Sequence, residues 1–192
     1  ADEQIFSNLQ IPGCELVCLQ WLQPEPNESF MHYAKRMYAQ MEDSNPLLLG
    51  VSFGGMLGIE IAKLFPVKKL ILLSSVKQRA ELPWWMRMAG SVKLHRLIRA
   101  RPHPLFYPIE NYFLGVKEKK EIELAIQFRK TVDSDYLQWA IHNIVTYSNV
   151  TIPDNILHIH GTSDKLFPLR YVNAHYKIKG GGHFMVYNRA AE

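Results

Sequence analysis

The pentapeptide Gly50-Val51-Ser52-Phe53-Gly54 constrains this chain more than any other feature, because of where it falls. It lies where the apolar run Leu47-Leu48-Leu49-Gly50, opened by Pro46, gives way to the helical spacing of Met56, Leu57, Ile59, Ile61, Ala62 and Leu64. A serine on such a strand-to-helix turn is thrust above the sheet, and glycines two residues to either side let strand and helix approach closely. The helix start leaves backbone N–H groups unpaired, so the Phe53 N–H is a candidate donor to a developing oxyanion. A phosphate cradle needs G-x-G-x-x-G or Gly-Lys-Ser/Thr, and neither is present. A glycine-rich turn without chemistry is the remaining alternative.

The surrounding pattern predicts an α/β fold with a mostly parallel sheet. Glu15–Trp21 and Val67–Leu73 read as strands, with a helix over Asn27–Met41 capped by Asn27 or Ser29. The alternation breaks over residues 77–149, which read as consecutive helices. The clearest is the last, where Leu137, Ala140, Ile141, Ile144 and Val145 repeat at i, i+3, i+4, i+7, i+8 after Asp133 or Ser134. Strands resume at Asn155–His160 and Ala174–Ile178. The predicted organisation is therefore a core made of residues 1–76 and 150–192, interrupted by a helical segment over 77–149. Only Lys165–Asn173 separate Asp164 from the last strand, fewer than the dozen or so residues of an ordinary parallel crossover, so its helix is either reduced to a turn or the strand limits shift.

A serine nucleophile needs a base, and the base an orienting acid. Gly180-Gly181-Gly182-His183-Phe184 places a histidine just after the last strand. His160-Gly161-Thr162-Ser163-Asp164 places a carboxylate just after the preceding one. Both fall at the carboxyl ends of parallel strands, where open α/β sheets keep their sites. The plainer alternatives are a turn aspartate at 164 and a structural histidine at 183. His158 and His160 alternate on one strand face and could be metal ligands, but no second histidine pair follows, and no metal is expected.

Gly50–Gly54, His160–Asp164 and Gly181–Phe184, in that chain order, resemble the three signature blocks of the α/β-hydrolase superfamily. The resemblance covers nearly the whole chain, with 77–149 in the position of that family's helical lid. It implies that Ser52 attacks a carbonyl, His183 relays the proton and Asp164 holds the imidazole's tautomer, with no cofactor. Esters or thioesters are the expected substrates. A C–C hydrolase or lyase on the same residues, of the kind seen in menaquinone synthesis, and a non-catalytic binding protein are the alternatives. The resemblance also implies a strand and a His/Gly-rich loop before Ala1, carrying the second oxyanion donor, and a longer closing helix, so the natural chain is expected to extend past both ends.

Within the helical segment, Trp84, Trp85 and Met88 are candidate substrate contacts. Between 77 and 101, Lys77, Arg79, Arg87, Lys93, Arg96, Arg99 and Arg101 face Glu81 alone. A lid with its apolar side over the cleft is favoured over an anionic-substrate pocket, and both over a membrane-resting helix. The cleft is expected to take an apolar or aryl acyl group. A formal charge of +4 with 47% apolar and 21% charged residues argues for a globular domain and against a nucleic-acid binder, since no basic reading motif is present. Cys14 and Cys18 read as small core residues on a strand, about 13 Å apart and beyond disulfide reach. With no leader or membrane span in the sequence, a cytoplasmic location is expected; the oligomeric state is left open.

Overall fold

A computed structural model describes residues 3–93, 95 and 102–192. Four strands, β1 (Leu47–Val51), β2 (Lys69–Leu73), β3 (Ile156–Gly161) and β4 (Tyr176–Ile178), form one sheet in that order. Every neighbouring pair is parallel, with Leu47 opposite Lys69, Leu70 opposite Ile156 and Ile159 opposite Tyr176. All four carboxyl ends therefore lie along one edge.

Helix α1 (Phe30–Tyr38) begins at Ser29, whose side chain accepts the His32 N–H at 3.1 Å. That bond satisfies one of the donors a helix start leaves open. α2 (Phe53–Leu64) lies on the sheet through Ile59, packed with Leu70, Leu72 and Ile156, all buried. A Cβ on Gly58 would come 2.7 Å from a Leu70 methyl, which is how the helix lies so close to β2. Tyr33, Ala34 and Met37 of α1 pack against Leu57 and Ile61 on the other side of α2. Between β2 and β3 come α3 (Trp84–Ser91), α4 (Tyr107–Leu114), α5 (Lys119–Thr131) and α6 (Ser134–Val145), with no strand among the described residues. Asp133 caps α6 by accepting from the N–H groups of Asp135 and Tyr136. A buried node ties the two ends of this segment together. Lys77 pairs with Glu81 at 3.4 Å, Glu81 also accepts from the Asn173 N–H, and Asn149 donates to the Lys77 carbonyl. α7 (Met185–Asn188) follows the last strand. No described helix is long and apolar enough to cross a membrane.

Two expectations are corrected. Glu15–Trp21 is not a strand: no ladder pairs it, and Leu16 and Val17 are exposed. An apolar run becomes a strand only with a partner about 4.8 Å away. Here a cavity of about 890 Å³ separates the run from β1, bounded by Leu19 and Trp21 on one side and Leu47, Leu49 and Val51 on the other. Cys14 and Cys18 accordingly lie outside the core, one exposed and one half-buried. The short link after Asp164 forms a single 3-10 turn, Leu169–Tyr171, which suffices because β3 and β4 are adjacent. Arg96, Arg99 and Arg101, singled out in the sequence, lie outside the described residues.

Candidate active site

The turn after β1 carries backbone strain. Ser52 has φ +52° and ψ −119°, a region that costs a non-glycine residue about 1–3 kcal/mol. The strain is held in place by the ladder, since the Ser52 N–H donates to the Leu73 carbonyl at 3.0 Å. It is also held by the start of α2, where the Gly55 N–H donates to the Ser52 carbonyl. The steric demand falls differently than the motif suggests. A Cβ on Gly50 would come 2.5 Å from the Gly54 carbonyl oxygen, as expected, but one on Gly54 would meet only Trp21 at 3.7 Å. The second obligatory glycine is Gly55, where a Cβ would lie 2.4 Å from Ser75 Oγ. That hydroxyl donates to the Ser52 carbonyl at 2.7 Å and fills the space.

Asp164, buried after β3, accepts the N–H groups of Leu166 and Phe167 on Oδ1, each at 2.9 Å. Its other oxygen, Oδ2, is thereby turned toward His183 Nδ1 at 2.8 Å. On the far side of the ring, His183 Nε2 lies 2.9 Å from Ser52 Oγ. A carboxylate can only accept, so Nδ1 donates to Asp164, Nε2 accepts, and the serine hydroxyl donates. The three sequence-predicted residues thus form one hydrogen-bonded row, its imidazole buried and its serine half-buried.

The histidine loop is positioned by close backbone contact. A Cβ on Gly161 would strike the Gly181 carbonyl oxygen at 2.2 Å, and that oxygen accepts the Ser163 N–H. From the helical segment, the Leu114 carbonyl accepts the Phe184 N–H at 3.0 Å, and Gly115, at φ +72°, lies against Gly182. This buttress escapes the sequence, where Leu114-Gly115 reads only as a helix end.

Phe53 opens α2, so its N–H has no intrahelical acceptor. Its ring is stacked with Phe30 and Trp21, at 5.2 and 5.8 Å, and meets Trp139 edge-on. This aromatic cluster beside Ser52 draws on α1, α6 and the segment misread as a strand, which is why periodicity did not find it. Trp84, Trp85 and Met88 are instead exposed; α3 buries Met86 and Gly90, on the opposite side. Two cavities, of about 890 and 420 Å³, include neither Ser52 nor His183 in their walls, though Gly50, Val51 and Gly54 border the larger from behind the turn.

Two further histidines lie beneath the site. His158 and His160 are wholly buried, and burial holds His158 down at about 3 and His160 below the ordinary histidine range. His160 Nε2 lies 2.8 Å from the Phe167 carbonyl, which accepts from it, and 3.5 Å from Asp164 Oδ2. Among the described residues the one group arranged like metal ligands is Glu25, Glu28 and His32, and Arg36 already pairs with both glutamates.

No protein-family model matches the chain, and no curated protein matches it by sequence. Solved structures do. A thermophilic esterase from Thermogutta terrifontis superposes with a TM-score of 0.65 at 14% identity, covering 88% of this chain and 71% of that one. A meta-cleavage product hydrolase from Pseudomonas fluorescens gives 0.60 at 15% identity, covering 86% and 69%. The N-acyl homoserine lactonase AidH gives 0.56 at 13% identity, covering 85% and 67%. The chain has the α/β-hydrolase fold.

Proposed function

We propose that the protein is a serine hydrolase that cleaves carboxylic esters or thioesters through an acyl-enzyme on Ser52. The observation that carries the reading is the row Asp164–His183–Ser52, closed at 2.8 and 2.9 Å, with the serine on a strained turn at a helix start. His183 takes the hydroxyl proton as Ser52 attacks the carbonyl, then returns it to the leaving group. Proton transfer by a positioned base contributes about 10²–10⁴-fold. Asp164 fixes the tautomer and stabilises the imidazolium that forms. The Phe53 N–H donates to the oxyanion, aided by the helix dipole. The aromatic cluster of Trp21, Phe30, Phe53 and Trp139 favours an apolar or aryl acyl group over a sugar. The helices of 77–149 serve as the lid, through Trp139 of α6 packed on Phe53.

C–C bond hydrolysis on the same residues is the second reading, supported by the likeness to a meta-cleavage product hydrolase. A panel of nitrophenyl esters separates the two. Turnover that rises with acyl apolarity and is lost in Ser52→Ala is expected. Turnover unaffected by that substitution contradicts both readings, and absent turnover contradicts the esterase.

A further inference from the structure

Helix α4 is built inside out. Its polar residues, themselves half-buried, gather on the buried Arg129, which forms an ion pair with Glu110 at 2.7 Å, donates to Asn111 Oδ1 at 2.7 Å and stacks on Tyr107. Its apolar residues turn outward: Ile109 and Tyr112 are exposed, with Leu105 and Phe106 just before them, and no residue of the helix is buried. α3 shows the same habit. Met86 and Gly90 go inward, and Trp84, Met88 and Val92 follow one another along the outer side. The helix cannot roll to hide them, because Gly90 already lies so close to α6 that a Cβ there would come 2.0 Å from the Val145 carbonyl oxygen. Trp85 approaches Phe113 at 6.5 Å, and Phe113 meets Tyr112, so the two faces are continuous.

Eight of the sixteen exposed large hydrophobic residues described fall between 84 and 112. A patch of this kind marks a contact surface. Charge says what covers it. Residues 77–120 hold ten of the 22 Lys and Arg but only three of the 18 Asp and Glu, so the rest of the chain is net acidic. Two of those three glutamates, Glu81 and Glu110, are already paired with Lys77 and Arg129. Lys93, Lys117 and Lys120 are exposed, and Lys165 lies over the Tyr112 ring. A second copy meeting this face about a two-fold axis sets cations against cations. Aromatic and aliphatic side chains together with these exposed lysines suit the headgroup boundary of an anionic bilayer.

We propose that the outer face of α3 and α4 docks on anionic lipid membranes. Trp84, Met88, Leu105 and Ile109 enter the headgroup boundary, and the lysines face lipid phosphates. The surface is independent of the chemistry at Ser52, although the buttress from Leu114 to the histidine loop sets the site close to the docked helix.

Co-sedimentation with vesicles tests this directly. The wild-type chain is expected to sediment with vesicles of phosphatidylcholine and phosphatidylserine, to be released by salt, and to stay in solution with phosphatidylcholine alone. A Leu105→Ser/Ile109→Ser double variant is expected to bind about tenfold more weakly or worse, the loss that follows from withdrawing aliphatic surface from an apolar phase. Met88→Ser, on the other helix, gives a second reading should the double variant fold poorly. Ser52→Ala binds as the wild type does, so failure of the hydrolase reading leaves this result untouched. No affinity for the anionic vesicles overturns the proposal, as does affinity that none of these serines reduces. A dimer dispersed by the same substitutions, in a protein that ignores vesicles, also overturns it.

Discussion

The carboxyl edge of the sheet and the outer side of α3 and α4 are built on opposite rules. At the sheet edge the catalytic candidates are tied to one another: Asp164 accepts three hydrogen bonds, and His183 is bonded at both ring nitrogens. On α4 the polar side chains gather half-buried on Arg129, and apolar side chains are left in water. The difference is one of range. Ser52 is held by contacts within a few residues of itself and by the adjacent strand, whereas the orientation of α4 is set by Arg129, which lies on the next helix.

The largest effect that sharpens this contrast lies in the row itself. Asp164→Asn keeps the fold but frees His183 to take the wrong tautomer, and a fall in kcat of about 10³–10⁴-fold is expected. The same substitution leaves the α3–α4 face as it was, so vesicle binding is unchanged. Steady-state kinetics and co-sedimentation on one preparation check both halves.

Two glycines set the regions side by side. Gly50→Ala and Gly90→Ala each drive a Cβ into backbone, at 2.5 and 2.0 Å, and each is expected to cost about 1–3 kcal/mol in denaturant unfolding. Only the first deforms the serine turn. Activity should therefore collapse in Gly50→Ala and persist in Gly90→Ala below its unfolding midpoint; equal loss in both breaks the comparison.

The buried histidines carry a pH signature. His158 is neutral when folded down to about 3, while in the unfolded chain a histidine takes up its proton near its ordinary value of about 6.5. The unfolded state then binds more protons across that window, so stability falls as pH drops from about 6.5 toward 3. One such group contributes a slope of up to about 1.4 kcal/mol per pH unit. The difference between wild type and His158→Leu in urea midpoints at pH 7 and pH 5 measures it: the variant should lose less stability on acidification. A parallel loss in both excludes His158 as the cause.

Much of the fold was legible because its signals are local. The β1 turn, the Ser29 and Asp133 caps and the periodicity of α6 each follow from residues within one or two turns of chain. The run Glu15–Trp21 was misread because strand formation depends on a neighbour that periodicity does not report. Ser52, Asp164 and His183, which the structure brings into one hydrogen-bonded row, were each singled out from a glycine-marked loop after a strand. Gly55 was missed, because its need for no side chain comes from Ser75, twenty residues on. The outward set of Trp84, Trp85 and Met88 was equally hidden, since α3 carries apolar residues on both sides and only Val145 decides which side turns inward.

The smallest effect expected is at Ser75. Removing its hydroxyl in Ser75→Ala leaves the Ser52 carbonyl bonded to the Gly55 N–H, so a loss of about 1 kcal/mol in stability and a few-fold in kcat is expected. A loss as large as that in Asp164→Asn makes Ser75 part of the chemistry and not of its support.

The proposed activation of Ser52 is tested most directly by a fluorophosphonate probe, with the labelled peptide identified by mass spectrometry. Stoichiometric labelling at Ser52 is expected, slowed severely in His183→Ala and absent in Ser52→Ala. A wild-type chain that stays unlabelled, or one labelled equally fast without the imidazole, contradicts a nucleophile activated through His183.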